Sequence, residues 1–229
     1  MSKTAVLEAV QQLDLSRLKA LLRARPDLLR VRDRKEKNLL QVACSVPPQK
    51  RAVTPATQTR LAEFLLDQGF AIDEIVGKDA CTALFFAVAG ARNPSLVTML
   101  LKRGADVQAA PGGGLFAAGW WNDVPNLKLL LDAGAEIDVV VGITPFLASW
   151  CWKQFDAAKY FALRGSDVNT QDQKGRTALH YGIEKEFDPR LLKWLVQHGA
   201  SPDIKDREGV SARVRASRKR DKRWFNALS

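Results

Sequence analysis

Two histidines, three cysteines, a triple glycine and a basic terminal run are the residues of this 229-residue chain whose types could do chemistry. A hydrolytic site needs a nucleophile beside a base, and a third group to orient that base. His180 and His198 fall on separate helical segments with no nucleophile beside either. His198 precedes Gly199 at a helix C-terminus, where partial positive charge is tolerated. Cys44, Cys81 and Cys151 show no CxxC pair and no Cys/His ligand spacing, so they imply neither a zinc site nor a disulfide framework. They read as small buried or partly buried thiols, with Cys151 the most accessible. Gly112-Gly113-Gly114 lacks the Lys-Ser/Thr and the preceding strand of a phosphate loop, and reads as a turn. Asp132, Asp138, Asp167 and Asp203 recur because a segment of the chain recurs at intervals, which makes them poor candidates for a paired acid and base. The expectation is a non-enzymatic chain with no catalytic residue, no metal and no cofactor.

The interval itself carries more information. The segment 177–200, TALHYGIEKEFDPRLLKWLVQHGA, holds a short helix opened by Thr177 and a second helix closed before Gly199. Comparable helix-start positions fall at Thr4, Asn38, Thr82, Gly113, Thr144, Thr177 and Ser211, separated by 34, 44, 31, 31, 33 and 34 residues. Closing glycines stand at Gly69, Gly104, Gly134, Gly165 and Gly199. A Thr or Ser hydroxyl accepts from the first free backbone amides of a helix, and Pro145 follows Thr144 where a missing N–H costs nothing. Glycine after a helix permits the left-handed residue that stops it. The alternating runs Ala135-Glu136-Ile137-Asp138 and Ser166-Asp167-Val168-Asn169 then read as one limb of a small hairpin. Helix, turn, helix, hairpin is the unit, and a unit of this length buries its apolar face only by stacking on copies of itself. The second unit spans 31 residues from start to glycine, against 21 or 22 in the later ones. The excess lies in 45–59, whose three prolines predict an exposed loop.

These residues resemble the ankyrin repeat family over nearly the whole chain. Thr82-Ala83-Leu84, Thr144-Pro145-Phe146 and Thr177-Ala178-Leu179-His180 carry the resemblance at the helix starts. Gly104-Ala105-Asp106-Val107, Gly134-Ala135-Glu136-Ile137 and Gly199-Ala200 carry it at the helix ends. The fourth unit departs, with Gly112-Gly113-Gly114-Leu115 in place of Thr-Pro-Leu. The resemblance implies an all-α helix-turn-helix solenoid with short β-hairpin connections, one domain over 1–229, and a structural hydrogen-bonding role for His180. It also implies contact residues at the hairpin tips: Lys78 and Asp79, Pro111 and Gly112, Val139, Val140 and Val141, and Lys174.

Helical geometry separates the buried from the open positions. Leu84, Ala87 and Val88, like Leu179, Gly182 and Ile183, follow an i, i+3, i+4 spacing and face inward. Two residues further along is a rotation of about 200°. The open positions are Glu8, Gln11 and Gln12; Val42, Ser45 and Val46; Phe86, Ala89 and Gly90; Ala117, Trp120 and Trp121; Ala148, Cys151 and Trp152; Tyr181, Glu184 and Lys185; and Arg215, Arg218 and Lys219. They predict a surface that is polar first, then aromatic at Phe86, Trp120, Trp121, Trp152, Tyr181 and the neighbouring Lys185, then basic at Arg215, Arg218 and Lys219. Exposed aromatics mark contact sites, and Trp, Tyr and Arg lead among binding hot spots. Trp150 and Trp194 occupy packing positions. The valines at 139–141 either pair as a buried hairpin limb or extend the apolar groove.

The formal charge is +10, with 10 basic and 5 acidic residues in 1–37, 16 and 17 in 38–204, and 9 and 3 in 205–229. The two basic terminal units support an alternative function, binding nucleic acid or an anionic surface. A terminal repeat also needs a polar outer face for solubility, so the C-terminal run equally reads as a cap docked through Val214, Trp224, Phe225 and Leu228. No stretch has the length of a signal h-region or a membrane span. The sequence reads as a cytoplasmic monomeric scaffold that binds another protein through a concave groove.

Overall fold

A computed structural model describes residues 2–47, 54–77, 81–110 and 112–229. The chain is all-α, in helix pairs joined by tight turns, with single antiparallel bridges Val76–Cys81, Val141–Ile143 and Lys205–Ser211 as the hairpin connections among the described residues. Its contacts fall into two compact units, Met1–Ala118 with Pro125–Glu136, and Gly119–Val124 with Ile137–Ser229.

In the first unit, α1 (Lys3–Gln11) pairs with α2 (Leu15–Ala24), α3 (Leu39–Cys44) with α4 (Pro55–Asp67), and α5 (Ala83–Phe86) with α6 (Pro94–Lys102). The first start position differs from expectation. Ser2 caps α1 by accepting from the Ala5 N–H, which leaves Thr4 inside the first turn. Asn38 and Gln41 form a reciprocal capping box at α3, at 2.9 and 3.0 Å. Of the expected loop 45–59, residues 48–53 lie outside the described residues, and 55–59 are not loop. Thr54 caps α4 and Pro55 opens it, because proline in the first turn sacrifices no hydrogen bond, so 55–59 are helical. Gln58 is buried there and donates 2.9 Å hydrogen bonds to the Ala43 and Val46 carbonyls. Helix α5 runs directly into a π turn, Ala87–Ala91, while Leu84, Ala87 and Val88 are buried as their spacing predicts. Two further helices follow in sequence, α7 (Gly113–Trp120), which lies in the first unit up to Ala118, and α8 (Val124–Asp132).

In the second unit α9 (Pro145–Cys151) pairs with α10 (Phe155–Leu163), α11 (Ala178–Glu184) with α12 (Pro189–Gln197), and α13 (Ala212–Ser217) with α14 (Arg223–Asn226). Thr144 and Ser211 cap α9 and α13, accepting from the Leu147 and Val214 amides at 3.3 Å. His180 is fully buried, with Nδ1 at 3.1 Å from the Thr177 amide that donates to it and Nε2 at 3.0 Å from the Val210 carbonyl. Trp150 is core: it has no exposed surface, donates to the Ala178 carbonyl at 2.9 Å and meets Phe155 and Phe187 edge to face at 5.3 and 6.0 Å. The C-terminal pair packs through Trp224 and Leu228, with the Trp224 indole donating to Phe187 O at 2.8 Å. Val214 does not join them. Ala212 and Ala216 take the inward positions of α13, and Val214, about 200° round from Ala212, is 41% exposed.

Two ladders of left-handed residues punctuate the repeat. The closing glycines have φ of +87° to +94°. Between the paired helices, Leu13, Arg92, Asn122, Lys153 and Glu186 adopt φ of +48° to +64°. Each costs on the order of 1 kcal/mol for a residue with a Cβ, offset by a tight turn whose next amide reaches back into the first helix, as Gln154 does to Ser149 O at 2.9 Å and Phe187 to Gly182 O at 2.8 Å. The recurring acids and amides join successive repeats. Asp73 accepts from the Asp106 amide at 3.0 Å, Asp138 from the Asp167 amide at 3.0 Å, and Asn169 from the Ser201 amide at 2.7 Å.

Candidate protein-binding surface

The open positions of the second unit begin at the end of α7. Trp120 and Trp121 are 50% and 48% exposed. The Trp120 ring meets the half-buried Trp152 edge to face, with centroids 4.8 Å apart at 75°. Such a pair contributes about 1 kcal/mol beyond its buried area and holds both rings in one orientation. Trp152 sits at the C-cap of α9, two residues beyond buried Trp150. A step of two residues at the end of one short helix, about 200° of rotation, thus places one tryptophan in the core and one half-exposed.

The surface continues from α9 to α11 and α13 through polar links. Lys185 donates to the Cys151 carbonyl at 3.1 Å and stands 5.4 Å over the Tyr181 ring. Tyr181 donates to Asp172 at 2.8 Å, and the Arg176 guanidinium donates to the phenol oxygen at 2.6 Å while lying 4.4 Å from the ring centroid. Burial, then the hydrogen bond to Asp172, raises the Tyr181 phenol above its usual range. Burial pushes the Cys151 thiol up to about 11, so at neutral pH it is a thiol and a poor nucleophile. Arg176 also pairs with Glu184 at 3.1 Å, and Glu184 with Arg215 at 2.9 Å.

Arg215 is more occupied than its place in a basic run suggests. Besides Glu184 it meets Glu208 at 3.4 Å and Asp206, whose side chain is 2% exposed. Burial alone would raise the Asp206 carboxyl, but the Arg215 guanidinium and the backbone amides of Val210 and Glu208 together hold it below the ordinary carboxylate range. Lys219 pairs with Glu186 at 2.7 Å. Arg218 is exposed, with no carboxylate at ion-pair distance among the described residues. Of the three cations expected at the basic end, Arg215 and Lys219 are therefore held in a charge network and Arg218 faces outward.

The remaining expected positions divide. Phe86 lies in the first unit, half-buried, with the Lys37 ammonium 4.9 Å over its ring. Val42 and Ala148, assigned to the open side, are buried, since both first helices are covered along their length. Val140 and Val141 are 69% and 61% exposed; Val141 donates to Ile143 O at 3.2 Å, yet its side chain is not a buried limb. Lys174 is exposed at its tip. Lys78, Asp79 and Pro111 lie outside the described residues. Trp194 stacks on His198 at 3.8 Å.

Residues 115–206 match the family model described as ankyrin repeats in three copies. Residues 115–206 thus resemble ankyrin repeats, and the likeness to solved structures extends the ankyrin repeat fold over nearly the whole chain. The ankyrin repeat domain of Bcl-3, a member of the IkappaB protein family, shares the fold with a TM-score of 0.79 at 21% identity, over 98% of this chain and 97% of that one. The human ASB11 ankyrin repeat domain gives 0.75 at 21%, over 97% and 95%, and an ankyrin repeat domain from Acinetobacter baumannii AYE gives 0.67 at 23%, over 82% and 95%. No curated protein matches the chain. Ankyrin repeat domains are in general protein-interaction modules. No helix among the described residues is long and apolar enough to cross a membrane.

Sequence reasoning missed Asp172 and Arg176, which organise this surface. A signal was present. Asp33, Asp172 and Asp206 each stand five residues before a helix-start residue of the ankyrin unit, and each accepts from the amides two and four residues on, at 2.8 to 3.0 Å. This closes the hairpin tip and leaves the second carboxylate oxygen for a cation.

Proposed function

We propose that the chain is a non-enzymatic cytoplasmic scaffold, acting as a monomer, whose ankyrin repeats bind a partner protein through the inner-helix face of the second unit. An apolar or aromatic segment of the partner seats against Trp120, Trp121 and Trp152, and Tyr181 and Lys185 supply polar contacts beside it. Val140, Val141 and Lys174 extend the contact at the tips, and Arg218 attracts acidic groups while Arg215 and Lys219, held by their own carboxylates, brace the helix beside it. Phe86 adds a contact on the first unit. The observation that carries this reading is the half exposure of the adjacent Trp120 and Trp121, since large apolar side chains left in water on rigid helices bind at little ordering cost. Crosslinking in the native cell identifies the partner. Changing Trp120, Trp121 and Trp152 together to Ala then abolishes co-purification while the melting temperature changes by only a few degrees; undiminished capture by the folded triple variant refutes the site.

A further inference from the structure

The first unit carries a second surface of different chemistry. Helix α2, the 3-10 turn Pro26–Arg30 and the end of α4 enclose a hollow of about 400 Å³ floored by Leu22, Leu29 and Phe64. Leu29 also lines an adjoining hollow of about 570 Å³, with Arg30 on its wall. The rim is cationic. Lys19 stands 5.0 Å over the Phe64 ring, Arg23 lines the same hollow, and both side chains are exposed, as is Arg30.

Among the neighbouring cations Arg17 pairs with Glu8, Arg25 with Asp27, Arg32 with Glu74 and Lys37 with Asp33, while Arg34, Lys35 and Arg60 are exposed but do not line either hollow. Lys19, Arg23 and Arg30 have no carboxylate at ion-pair distance among the described residues. Three uncompensated cations around an apolar floor are complementary to carboxylates flanking an apolar side chain.

We propose that this hollow docks an acidic peptide segment of a partner, its bulky apolar side chain over Leu22, Leu29 and Phe64 and its carboxylates on Lys19, Arg23 and Arg30. The surface is independent of the tryptophan face. A nucleic acid would satisfy the cations and leave the floor unfilled, which is why a peptide fits better. The rim supplies attraction and rate, and the floor supplies selectivity.

The test is selection of a displayed random-peptide library on the full chain, followed by binding of the enriched peptides to wild type, to Arg23→Glu/Arg30→Glu and to the Trp120→Ala/Trp121→Ala variant. Both sets of changes fall on exposed side chains, and melting curves check the fold. The expected result is a class of peptides combining Asp or Glu with Leu, Phe or Trp. Their affinity should fall at least tenfold in the charge-reversal variant, as loss of close charge pairs can exceed about 1.5 kcal/mol. It should persist in the tryptophan variant and weaken with salt. Enrichment without acidic residues, or indifference to the charge reversal, overturns the proposal. So does a single-stranded oligonucleotide or an anionic vesicle that binds this rim at least as tightly as the best peptide. Failure of the tryptophan variant alone bears on the proposed function and leaves this surface untouched.

Discussion

Trp150 and Trp152 lie two residues apart in Ser149-Trp150-Cys151-Trp152 and should respond oppositely to the same change. Trp150 is fully buried among Phe146, Phe155 and Phe187 and donates one hydrogen bond. Truncating a buried Trp to Ala costs about 3–5 kcal/mol, cavity included, and the lost indole N–H bond lies within that range at about 1 kcal/mol. Trp150→Ala should therefore lower stability by about 4 kcal/mol, or roughly 8–16 °C for a chain of this size. Trp150→Phe keeps most of the ring and loses the donor, for about 2 kcal/mol. Trp152→Ala removes an edge-to-face contact on a half-buried ring and should cost about 1 kcal/mol. Urea denaturation of the three variants, followed by circular dichroism, measures the differences. If Trp150→Ala and Trp152→Ala cost the same, the division of this helix into inward and outward tryptophans is wrong.

Two further outcomes concern the hairpin tips. Asp206→Asn replaces an acceptor facing Arg215 with an amide donor and should cost about 2 kcal/mol at neutral pH. Because the folded-state carboxyl lies below its ordinary value, the stabilisation is present above the unfolded pKa of about 3.9 and is lost as pH falls through the lower folded value. The gap between wild type and variant, read from melts at several pH values, should thus close in acid, and a gap constant with pH removes the charge from the explanation. Gly175 and Gly209 share φ of +75°, but a Cβ at Gly175 would lie 2.9 Å from the Arg207 amide while one at Gly209 meets nothing. Gly209→Ala should cost about 1 kcal/mol for the backbone conformation alone; Gly175→Ala should cost clearly more, and equal melting temperatures for the two variants would refute the steric argument.

The regular part of the fold was legible because each signal is local. A hydroxyl or amide at Asn38, Thr82, Thr144, Thr177 and Ser211 caps the helix that follows, and the closing glycines take the φ they were chosen for. Failures came where a residue has two local roles. A proline predicts a break inside a helix and a beginning in its first turn, and Pro55 takes the second role because Thr54 caps ahead of it. Val214 failed because a two-residue shift turns a helix face nearly over, and hydrophobicity alone could not choose between Val214 and the alanines beside it. The left-handed turns at Leu13, Arg92, Lys153 and Glu186 had no compositional signal, since tertiary packing imposes them on residues that do not prefer them.

The candidate surfaces show why the exposure of an aromatic side chain was more legible in the sequence than the availability of a cation. Although the same phase left the smaller Val42 and Ala148 buried, exposure of Trp120 follows from helix phase, which sequence supplies directly. Whether a cation is available depends on carboxylates distant in sequence, which it does not. Arg215 comes from the most basic stretch of the chain, yet it meets acids at 184, 206 and 208. Arg23 and Arg30 come from a stretch of comparable charge and meet none among the described residues. Reversing Arg215 should consequently act on stability, by leaving buried Asp206 uncompensated, whereas reversing Arg23 and Arg30 should act on binding and its salt dependence while sparing the melt. The two runs carry the same sign, and only their internal pairing separates a structural cation from a docking one.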